Sequence, residues 1–346
     1  MPGFVSLVDQ KRPVRLLTAA LSSGNLPHAF LFTGIEGIGK KTAAMAFAMA
    51  CNCFNLQKGP QAKQSDSIPA SVPAEFSQIE PCGRCRSCKK IISGNHPDII
   101  LVTPAGAMIK VDQIRALCSK LVLKPYEASK RFAIIIGAQK LNPEAGNTLL
   151  KTLEEPPEHT VFILTALQAS DILPTIVSRC QQIRFNPIPL NSLQTYIENA
   201  YGLDPAEASA IASMAGGSIT CAESMTKSNW IDKRDWIIEE VEALPSRSIN
   251  LCLAFSEALS KNREWLFTAF EIIKNWLRDI VVYKYIPEKI INKDLTEQIK
   301  ASSKKATVNS LILKIKAIEK AERDIKSNSN LRLTLDSLMI TLSKGY

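Results

Sequence analysis

The sequence predicts an α/β fold, in which a parallel β-sheet covered by helices is followed by an all-helical C-terminal half. Short apolar runs alternate with helical patterns up to about residue 187, as is typical of a parallel sheet with right-handed crossovers. The first apolar run leads directly into a glycine-rich loop and then a helix. From Pro187-Ile188-Pro189 onward the pattern is helical, and no convincing strand follows.

Each strand of the predicted sheet is a continuous apolar run, which favours burial on both faces. The predicted strands are 28–32, 99–102, 132–136, 160–165 and 182–185. The predicted helices between and around them are 13–22, 42–52, 89–93, 111–121, 143–155 and 170–177. Because ligands on such sheets bind at the carboxyl ends of the strands, the candidate site lies where the first strand ends.

A polar, turn-rich segment at 55–80 interrupts this alternation, and we interpret it as a loop or a mobile insertion. Beyond residue 187 the chain predicts a helical bundle that could serve as an assembly surface. Its predicted helices are 190–201, 205–214, one that begins at 219, 249–259, 264–285, 295–300, 305–326 and 330–342.

Composition restricts the class of protein. Apolar residues make up 46% of the 346 residues, but no run of about 18 apolar residues is present, so no membrane span is expected. The N-terminus lacks a basic flank followed by an apolar core, so we expect no signal peptide and a cytoplasmic location. The net charge is +9, and residues 261–346 hold 17 Lys and Arg against 10 Asp and Glu. This basic surface fits either a nucleic-acid or acidic partner, or ordinary solvated helix faces.

The loop after the first strand has the glycines and lysine of a phosphate-binding loop, with the sequence TGIEGIGKKT at 33–42. Glycines let backbone N–H groups converge on phosphate oxygens, and the N-terminus of the following helix adds partial positive charge. The lysine would reach the outer phosphates. The candidate nucleotide-binding residues are Gly34, Gly37, Gly39, Lys40, Lys41 and Thr42.

Two groups that such ATPases use to hold Mg²⁺ are missing. The residue after the loop lysine should be Ser or Thr, but it is Lys41, and Thr42 points elsewhere around the helix. The core strand at 132–136 should end in an acid that holds Mg²⁺ and orients water, but it ends in Gly137-Ala138-Gln139. We therefore expect no ATP hydrolysis at this loop, whereas nucleotide binding stays open because Lys40 is retained.

Nine cysteines argue for metal ligation and buried thiols rather than a disulfide framework. Three of them lie at Cys-x2-Cys-x2-Cys spacing between residues 82 and 88, and tetrahedral zinc needs a fourth ligand. Cys51 is a rival for the fourth position and His96 a weaker candidate; free thiols or a redox pair are the alternative to a structural zinc site. The predicted zinc ligands are Cys53, Cys82, Cys85 and Cys88.

Ser178-Arg179-Cys180 follows a short helix that begins just past a strand end, so Arg179 faces outward from the nucleotide side of the sheet. Such an arginine is either a finger offered to the nucleotide of a neighbouring subunit or an ordinary surface or salt-bridged arginine. With only three histidines, no Ser-His-Asp or Cys-His catalytic set can be assembled. The remaining cysteines are expected to be buried thiols, namely Cys118, Cys180, Cys221 and Cys252.

Several segments occur in the same order as in the clamp-loader subunits of bacterial DNA polymerase III, and the chain resembles that family. The resemblance is strong over 1–187, weakens through Gly216-Gly217-Ser218, and beyond about residue 240 rests on helical character alone. The segments that carry it are the four-cysteine set, LPHAFLFTG at 26–34, GIGKKT at 37–42, NHPD at 95–98, NTLLKTLEEPP at 147–157 and SRC at 178–180.

This resemblance implies an AAA+ fold with a RecA-like domain at 1–187, a zinc module inserted at 53–95, a helical lid at 188–245 and a helical collar at 246–346. It implies that the chain is one member of a five-subunit hetero-oligomeric ring. Its implied partners are gamma/tau and delta clamp-loader subunits, the sliding clamp and, within the assembled ring, primer–template DNA. It also implies that Arg179 is an arginine finger acting in trans, and that Thr165 occupies the sensor position.

Within the family, Lys41 and Gly137-Ala138 favour the non-hydrolysing delta-prime type. The gamma/tau type shares the zinc set and the Ser-Arg-Cys triplet but needs a metal-binding Ser or Thr and an acidic strand end. The resemblance therefore implies a subunit of the polymerase holoenzyme that helps load the sliding clamp onto primed DNA during replication. An active gamma/tau-type ATPase is the alternative, and a zinc-dependent DNA-binding module is a third possibility.

Overall fold

The computed structural model describes residues 3–24, 26–57, 79–327 and 329–344, and of Glu264 the backbone alone. Most of the insertion predicted at 55–80 therefore lies outside the described residues. The chain forms two compact units. The first comprises Met1–Leu193 with Gly216–Thr220, and the second comprises Gln194–Ala215 with Cys221–Tyr346.

Five parallel strands form the sheet of the first unit. They are β1 (Ala29–Thr33), β2 (Ile99–Val102), β3 (Arg131–Ile135), β4 (Thr160–Ala166) and β5 (Gln181–Arg184). Their spatial order is β2-β3-β4-β1-β5, and every neighbouring pair is parallel. The predicted α/β class with a parallel sheet is confirmed.

Helices connect these strands and cover both faces of the sheet. They are α1 (Lys11–Ser22), α2 (Lys40–Cys51), α3 (Phe54–Gln57), α4 (Arg86–Ile92), α5 (Val111–Leu121), α6 (Pro143–Glu154) and α7 (Pro174–Val177). The helix predicted at 170–177 is shorter than expected, because residues Ala169–Asp171 form only a 3-10 turn. Pro174 lacks the N–H that would continue a helix from that turn, and it instead occupies the first turn of α7.

The central strands are buried on both faces, which explains their continuous apolar sequence. Every residue of β3 and β4 is buried. Phe132 and Ile134 pack on one face with Phe47 of α2, whose ring centroid lies 5.8 Å from that of Phe132. Ala133 and Ile135 pack on the other face against α5 and α6. The sheet is thus enclosed between helices, and only its edges remain for a site.

A buried ion pair holds the turn between α5 and β3. Asp98 and Arg131 are 1% and 5% exposed, and Asp98 Oδ1 lies 3.3 Å from Arg131 Nη2. The Asp98 carboxylate accepts backbone N–H bonds from residues 126, 127 and 128 at 2.8–2.9 Å. The Arg131 guanidinium donates to the carbonyl oxygens of residues 120, 123 and 124. Both members of the pair therefore bind the backbone of one turn.

The second unit contains helices and no strand among the residues that the structure describes. Its helices are part of α8 (Leu190–Tyr201), α9 (Pro205–Met214), part of α10 (Ile219–Lys227), α11 (Trp230–Ala243), α12 (Ile249–Ser260), α13 (Arg263–Tyr283), α14 (Thr296–Lys305), α15 (Val308–Lys326) and α16 (Leu331–Ser343). In the described parts of the chain, no helix is both long and apolar enough to cross a membrane.

Several details of the second unit differ from the prediction. Helix α14, predicted at 295–300, continues to Lys305. Helix α11 was not predicted; it buries Trp230, Ile237 and Val241 at helical spacing. The helix predicted to begin at residue 305 begins three residues later, because Ala306 is extended and Thr307 caps α15 by accepting a hydrogen bond from Ser310 N–H at 3.3 Å. The division of the helical region into a lid at 188–245 and a collar at 246–346 stays a prediction.

Asp98→Asn tests the buried ion pair. Burial raises the pKa of Asp98, but three backbone N–H bonds and Arg131 outweigh it and hold the pKa below its usual value. A carboxyl with a depressed folded pKa contributes stability above its unfolded pKa of about 3.9 and loses it as the pH falls through the folded value. We expect Asp98→Asn to lower the free energy of unfolding by about 3 kcal/mol at pH 7.

Urea denaturation from pH 7 down to pH 2 measures this difference between Asp98→Asn and the unmodified chain. The difference should shrink as the pH falls below about 4. Asp112→Asn is the matched control, because the Asp112 side chain is 85% exposed. A difference for Asp98→Asn that persists unchanged to pH 2 would contradict the role of its charge.

Candidate functional sites

The glycine-rich loop lies between β1 and α2, at the carboxyl edge of the sheet. Gly37 has a left-handed backbone with φ of +77°, which residues with a Cβ rarely adopt. A Cβ at Gly34 would lie 2.6 Å from the carbonyl oxygen of Phe185. Gly39 directly precedes the first residue of α2, so the N-terminus of that helix opens onto the loop. The backbone of a phosphate-binding loop is therefore present.

Lys40 is bound to the loop's own backbone. The residue is 9% exposed, and its ammonium donates to the carbonyl oxygen of Gly34 and, at 2.6 Å, to that of Ile35. Burial lowers the pKa of Lys40 to about 8, and the negative charge of Glu36 opposes that shift. The sequence predicted that this lysine reaches the outer phosphates. In the structure its ammonium is bonded to carbonyl groups of the loop.

The structure places no hydroxyl where the loop needs a magnesium ligand. Lys41 holds that position and is exposed, whereas Thr42 is half-buried one residue further along α2. Because an α-helix turns by about 100° per residue, the Thr42 hydroxyl is directed away from the position that Lys41 occupies. Both residues lie in the first turn of α2, which begins two residues before the predicted start at Thr42.

The end of β3 also lacks a metal-binding acid. Gly137 follows this strand, and its N–H donates to the Thr165 hydroxyl oxygen at 3.0 Å. Thr165 lies in β4 and is 3% exposed. The parallel pairing of β3 with β4 brings these two positions together. The hydroxyl at the predicted sensor position is therefore bonded to the strand end where the acid would stand.

The short segment Gly216–Thr220 contacts the loop within the first unit. Thr220 N–H donates to the carbonyl oxygen of Gly37 at 3.3 Å. A Cβ at Gly37 would lie 2.1 Å from the Ser218 hydroxyl oxygen, so this contact requires glycine. The contacting residues are uncharged and bring no cation to the loop. Sequence reasoning treated this segment only as a break between helices, since a contact over 180 positions leaves no local signal.

Four cysteines form a cluster that could hold a metal ion. Their Sγ atoms all lie within 4.8 Å of one another. Tetrahedral zinc with Zn–S bonds of about 2.3 Å separates its sulfur ligands by about 3.8 Å, so the spacing suits such an ion. Cys51 and His96 are not part of the cluster, and His96 Nδ1 instead accepts a bond from Asp98 N–H at 3.2 Å. The members are Cys53, Cys82, Cys85 and Cys88.

Backbone N–H groups surround the sulfur atoms. Cys82, Cys85 and Cys88 each donate to the Sγ of the preceding cluster cysteine at 3.4–3.5 Å. Burial raises the pKa of Cys82, but hydrogen bonds from the backbone of Arg84 and Cys85 and from neighbouring thiols outweigh it and lower the pKa to about 7. Burial raises the pKa of Cys53 and Cys88. A bound cation would favour the thiolate form of all four, so the donor set fits a metal ion.

Arg179 lies on the surface of the first unit, two residues after α7. Its side chain is 35% exposed. Nη1 donates to the carbonyl oxygen of Thr175 at 2.9 Å, and Nη2 donates to Glu154 Oε1 at 2.7 Å. The structure thus shows an arginine that is both accessible and salt-bridged, so the two sequence alternatives do not exclude each other.

The turn between α5 and β3 exposes apolar side chains, and the sequence analysis did not identify it as a candidate site. Val122, Leu123 and Tyr126 are 81%, 70% and 84% exposed, on the turn whose backbone Asp98 and Arg131 bind. Clustered apolar side chains at a surface are typical of protein-binding sites. Sequence reasoning assigned this segment no function, because the ion pair that holds it joins residues 33 positions apart.

Two protein-family models match this chain. The family model described as DNA polymerase III, delta subunit, matches residues 9–189. The model described as DNA polymerase III, delta subunit, C terminal, matches residues 228–344. Together the two models span most of both compact units.

Three relatives illustrate the similarity. DNA polymerase III subunit delta' of Bacillus subtilis (strain 168) is 29% identical over 97% of this chain and 97% of its own length. Subunit delta' of Pseudomonas aeruginosa is 31% identical over 74% of this chain and 72% of that relative. Subunit tau of B. subtilis is 28% identical over 98% of this chain, which spans 61% of that longer relative. The chain belongs to the family of DNA polymerase III delta subunits, and its predicted resemblance to delta-prime subunits is confirmed.

Proposed function

We propose that this chain is a clamp-loader subunit of DNA polymerase III that hydrolyses no ATP at its own loop and supplies Arg179 to a neighbour's nucleotide. The end of β3 carries this proposal. Where a magnesium-binding acid is required, Gly137 stands with its N–H bonded to the Thr165 hydroxyl. Lys41 removes the second magnesium ligand. Without both groups the loop cannot hold Mg²⁺ and orient the attacking water.

The properties of Arg179 support the second part of the proposal. A guanidinium keeps its charge at every physiological pH and offers paired N–H donors that match phosphate geometry. The Arg179 side chain is accessible from outside the unit. Arginine fingers stabilise the charge that develops on the transferred phosphoryl group. Through such a residue the chain would contribute to ATP hydrolysis by a neighbouring subunit without hydrolysing ATP at its own loop.

The proposed partners are the gamma/tau and delta subunits of the clamp loader, the sliding clamp and primer–template DNA within the assembled cytoplasmic ring. The similarity to a tau subunit supports the subunit partners, because homologous chains commonly form rings of related subunits. The clamp and the primed DNA follow from the clamp-loading role.

We infer that the four-cysteine cluster holds zinc and that its role is structural. Four thiolates at tetrahedral spacing are a preferred ligand set for structural zinc. A site closed by four sulfur atoms leaves no position for water or substrate. The ion would tie Cys53, just after α2, to Cys88 in α4 and so stabilise the start and end of the inserted segment.

An active ATPase of the gamma/tau type is the second candidate, and one observation favours it. Lys40 is retained, and the loop glycines keep the backbone of a phosphate-binding loop. Hydrolysis would require another carboxylate to act from outside β3, because the strand end offers none.

Purified chain incubated alone with Mg-ATP distinguishes these two candidates. We expect no phosphate release above the rate without protein, because both magnesium-holding groups are absent at the loop. Turnover by the unmodified chain that disappears in Lys40→Ala would contradict the proposal and support an active ATPase.

Arg179→Ala tests the finger in an assembled clamp loader containing this chain. We expect single-turnover ATP hydrolysis at the interface that Arg179 completes to slow by roughly 10³-fold or more. Arg115→Ala is the control, because Arg115 is a 68% exposed arginine of the same unit that pairs only weakly, at 3.8 Å, with Asp112. An Arg179→Ala loader with the unmodified hydrolysis rate would reject the finger.

Elemental analysis of purified chain tests the metal site. We expect about one zinc per chain. Cys53→Ser should lose most of this zinc and lower the melting temperature, because one of four ligands is gone. Cys51→Ser should retain the zinc, since Cys51 lies two residues away and outside the cluster. Equal zinc content in the two variants would contradict the assigned ligand set.

A further inference from the structure

The Arg179 side chain is held at two points in this structure. Its Nη1 donates to the carbonyl oxygen of Thr175 at 2.9 Å and to the Ser178 hydroxyl at 3.4 Å, both within the same helical turn. Its Nη2 donates to Glu154 Oε1 at 2.7 Å, across 25 positions of sequence. The Nη1 contacts lie within the turn that carries Arg179, whereas the Nη2 contact connects the guanidinium to a different element, α6. Glu154 therefore determines where the guanidinium lies relative to the body of the unit.

Glu154 comes from a rigid part of the fold. It is the last residue of α6, whose Leu149 and Leu153 are 0% and 1% exposed and pack on the sheet. Its own side chain is 44% exposed, so it reaches the surface directly from a buried helix. An element anchored in this way can fix the direction of a long and otherwise mobile arginine side chain.

The position of Glu154 is unfavourable for the helix that carries it. A helix C-terminus bears partial negative charge, so a carboxylate there is repelled, whereas a cation such as Lys151 is favoured. Helix stability therefore does not explain this carboxylate. A residue that breaks a local rule of this kind is expected at a functional site, and here it contacts Arg179.

We propose that Glu154 is the positioning residue of Arg179, which holds the guanidinium ready for the neighbouring subunit's triphosphate. This inference rests on the proposed function. A guanidinium has five N–H donors, and the contacts to Glu154, Thr175 and Ser178 use three of them. The remaining donors are sufficient for a paired contact with phosphate oxygens while Glu154 stays bound. Fixing the side chain beforehand removes the rotamer entropy that an unheld arginine would lose on reaching the transition state.

Glu154→Ala and Glu154→Gln in an assembled clamp loader test this role. We expect Glu154→Ala to lower kcat for clamp- and DNA-stimulated ATP hydrolysis about tenfold, with KM for ATP unchanged, because the contact serves the transition state and not ATP binding. Glu154→Gln should lower kcat about threefold, since a neutral acceptor keeps a weaker bond to the guanidinium. Glu155→Gln, one residue further along and also exposed, should hydrolyse ATP like the unmodified chain.

Three results would overturn the inference. The first is a kcat for Glu154→Ala within about twofold of the unmodified loader. The second is a higher kcat, which would mean that Glu154 only competes with phosphate for Arg179. The third is a loss shared equally by Glu155→Gln. Melting temperature and complex assembly are measured for each variant. If Glu154→Ala impairs either, the kcat of the shape-conserving Glu154→Gln is used to test whether Glu154 positions Arg179.

Measuring Arg179→Ala beside these variants distinguishes failure of the arginine finger from failure of the positioning role of Glu154. If Arg179→Ala keeps full activity, the finger itself is rejected. If Arg179→Ala loses activity and the Glu154 variants do not, the finger stands and Glu154 has no positioning role. A double variant, Glu154→Ala with Arg179→Ala, should be no slower than Arg179→Ala alone, because Glu154 acts only through Arg179.

Discussion

The parallel pairing of β3, β4 and β1 fixes every candidate nucleotide residue of this chain at one edge of the sheet. In this register Thr33 pairs with Ala166, and Ile135 pairs with Leu164. The loop that follows β1 therefore lies beside the ends of the other two strands. A slip by one residue would exchange side chains of different size between the two buried faces, such as Phe132 and Ala133, so close packing on both sides favours this register.

This edge keeps the frame of a phosphate-binding site but satisfies its polar groups internally. Lys40 bonds to the loop backbone, and the Thr165 hydroxyl bonds to Gly137 N–H. Arg179 depends on α6 and α7 rather than on the loop, so the two parts could change independently. The fold therefore permits a subunit whose own loop is inactive while its arginine still serves a neighbour.

The sequence predicted what depends on local pattern and missed what depends on distant contacts. The strand at 99–102 and the helix at 111–121 were predicted with their observed bounds, because period and flanking turns are local signals. The sequence also predicted Cys53 rather than its rival Cys51 as the fourth cysteine, and Cys53 is the one whose sulfur lies with the other three. The contact of Glu154 with Arg179, by contrast, joins separate elements, and no pattern within either one indicates it.

The central claim is that Arg179, and not Lys40, carries this chain's contribution to ATP hydrolysis. Single-turnover hydrolysis in clamp loaders assembled with the unmodified chain, with Lys40→Ala or with Arg179→Ala tests it most directly. The account predicts that the Lys40→Ala loader hydrolyses ATP at close to the unmodified rate, whereas the Arg179→Ala loader loses the turnover of the interface that Arg179 completes. Loss of hydrolysis in Lys40→Ala together with full activity in Arg179→Ala would contradict it.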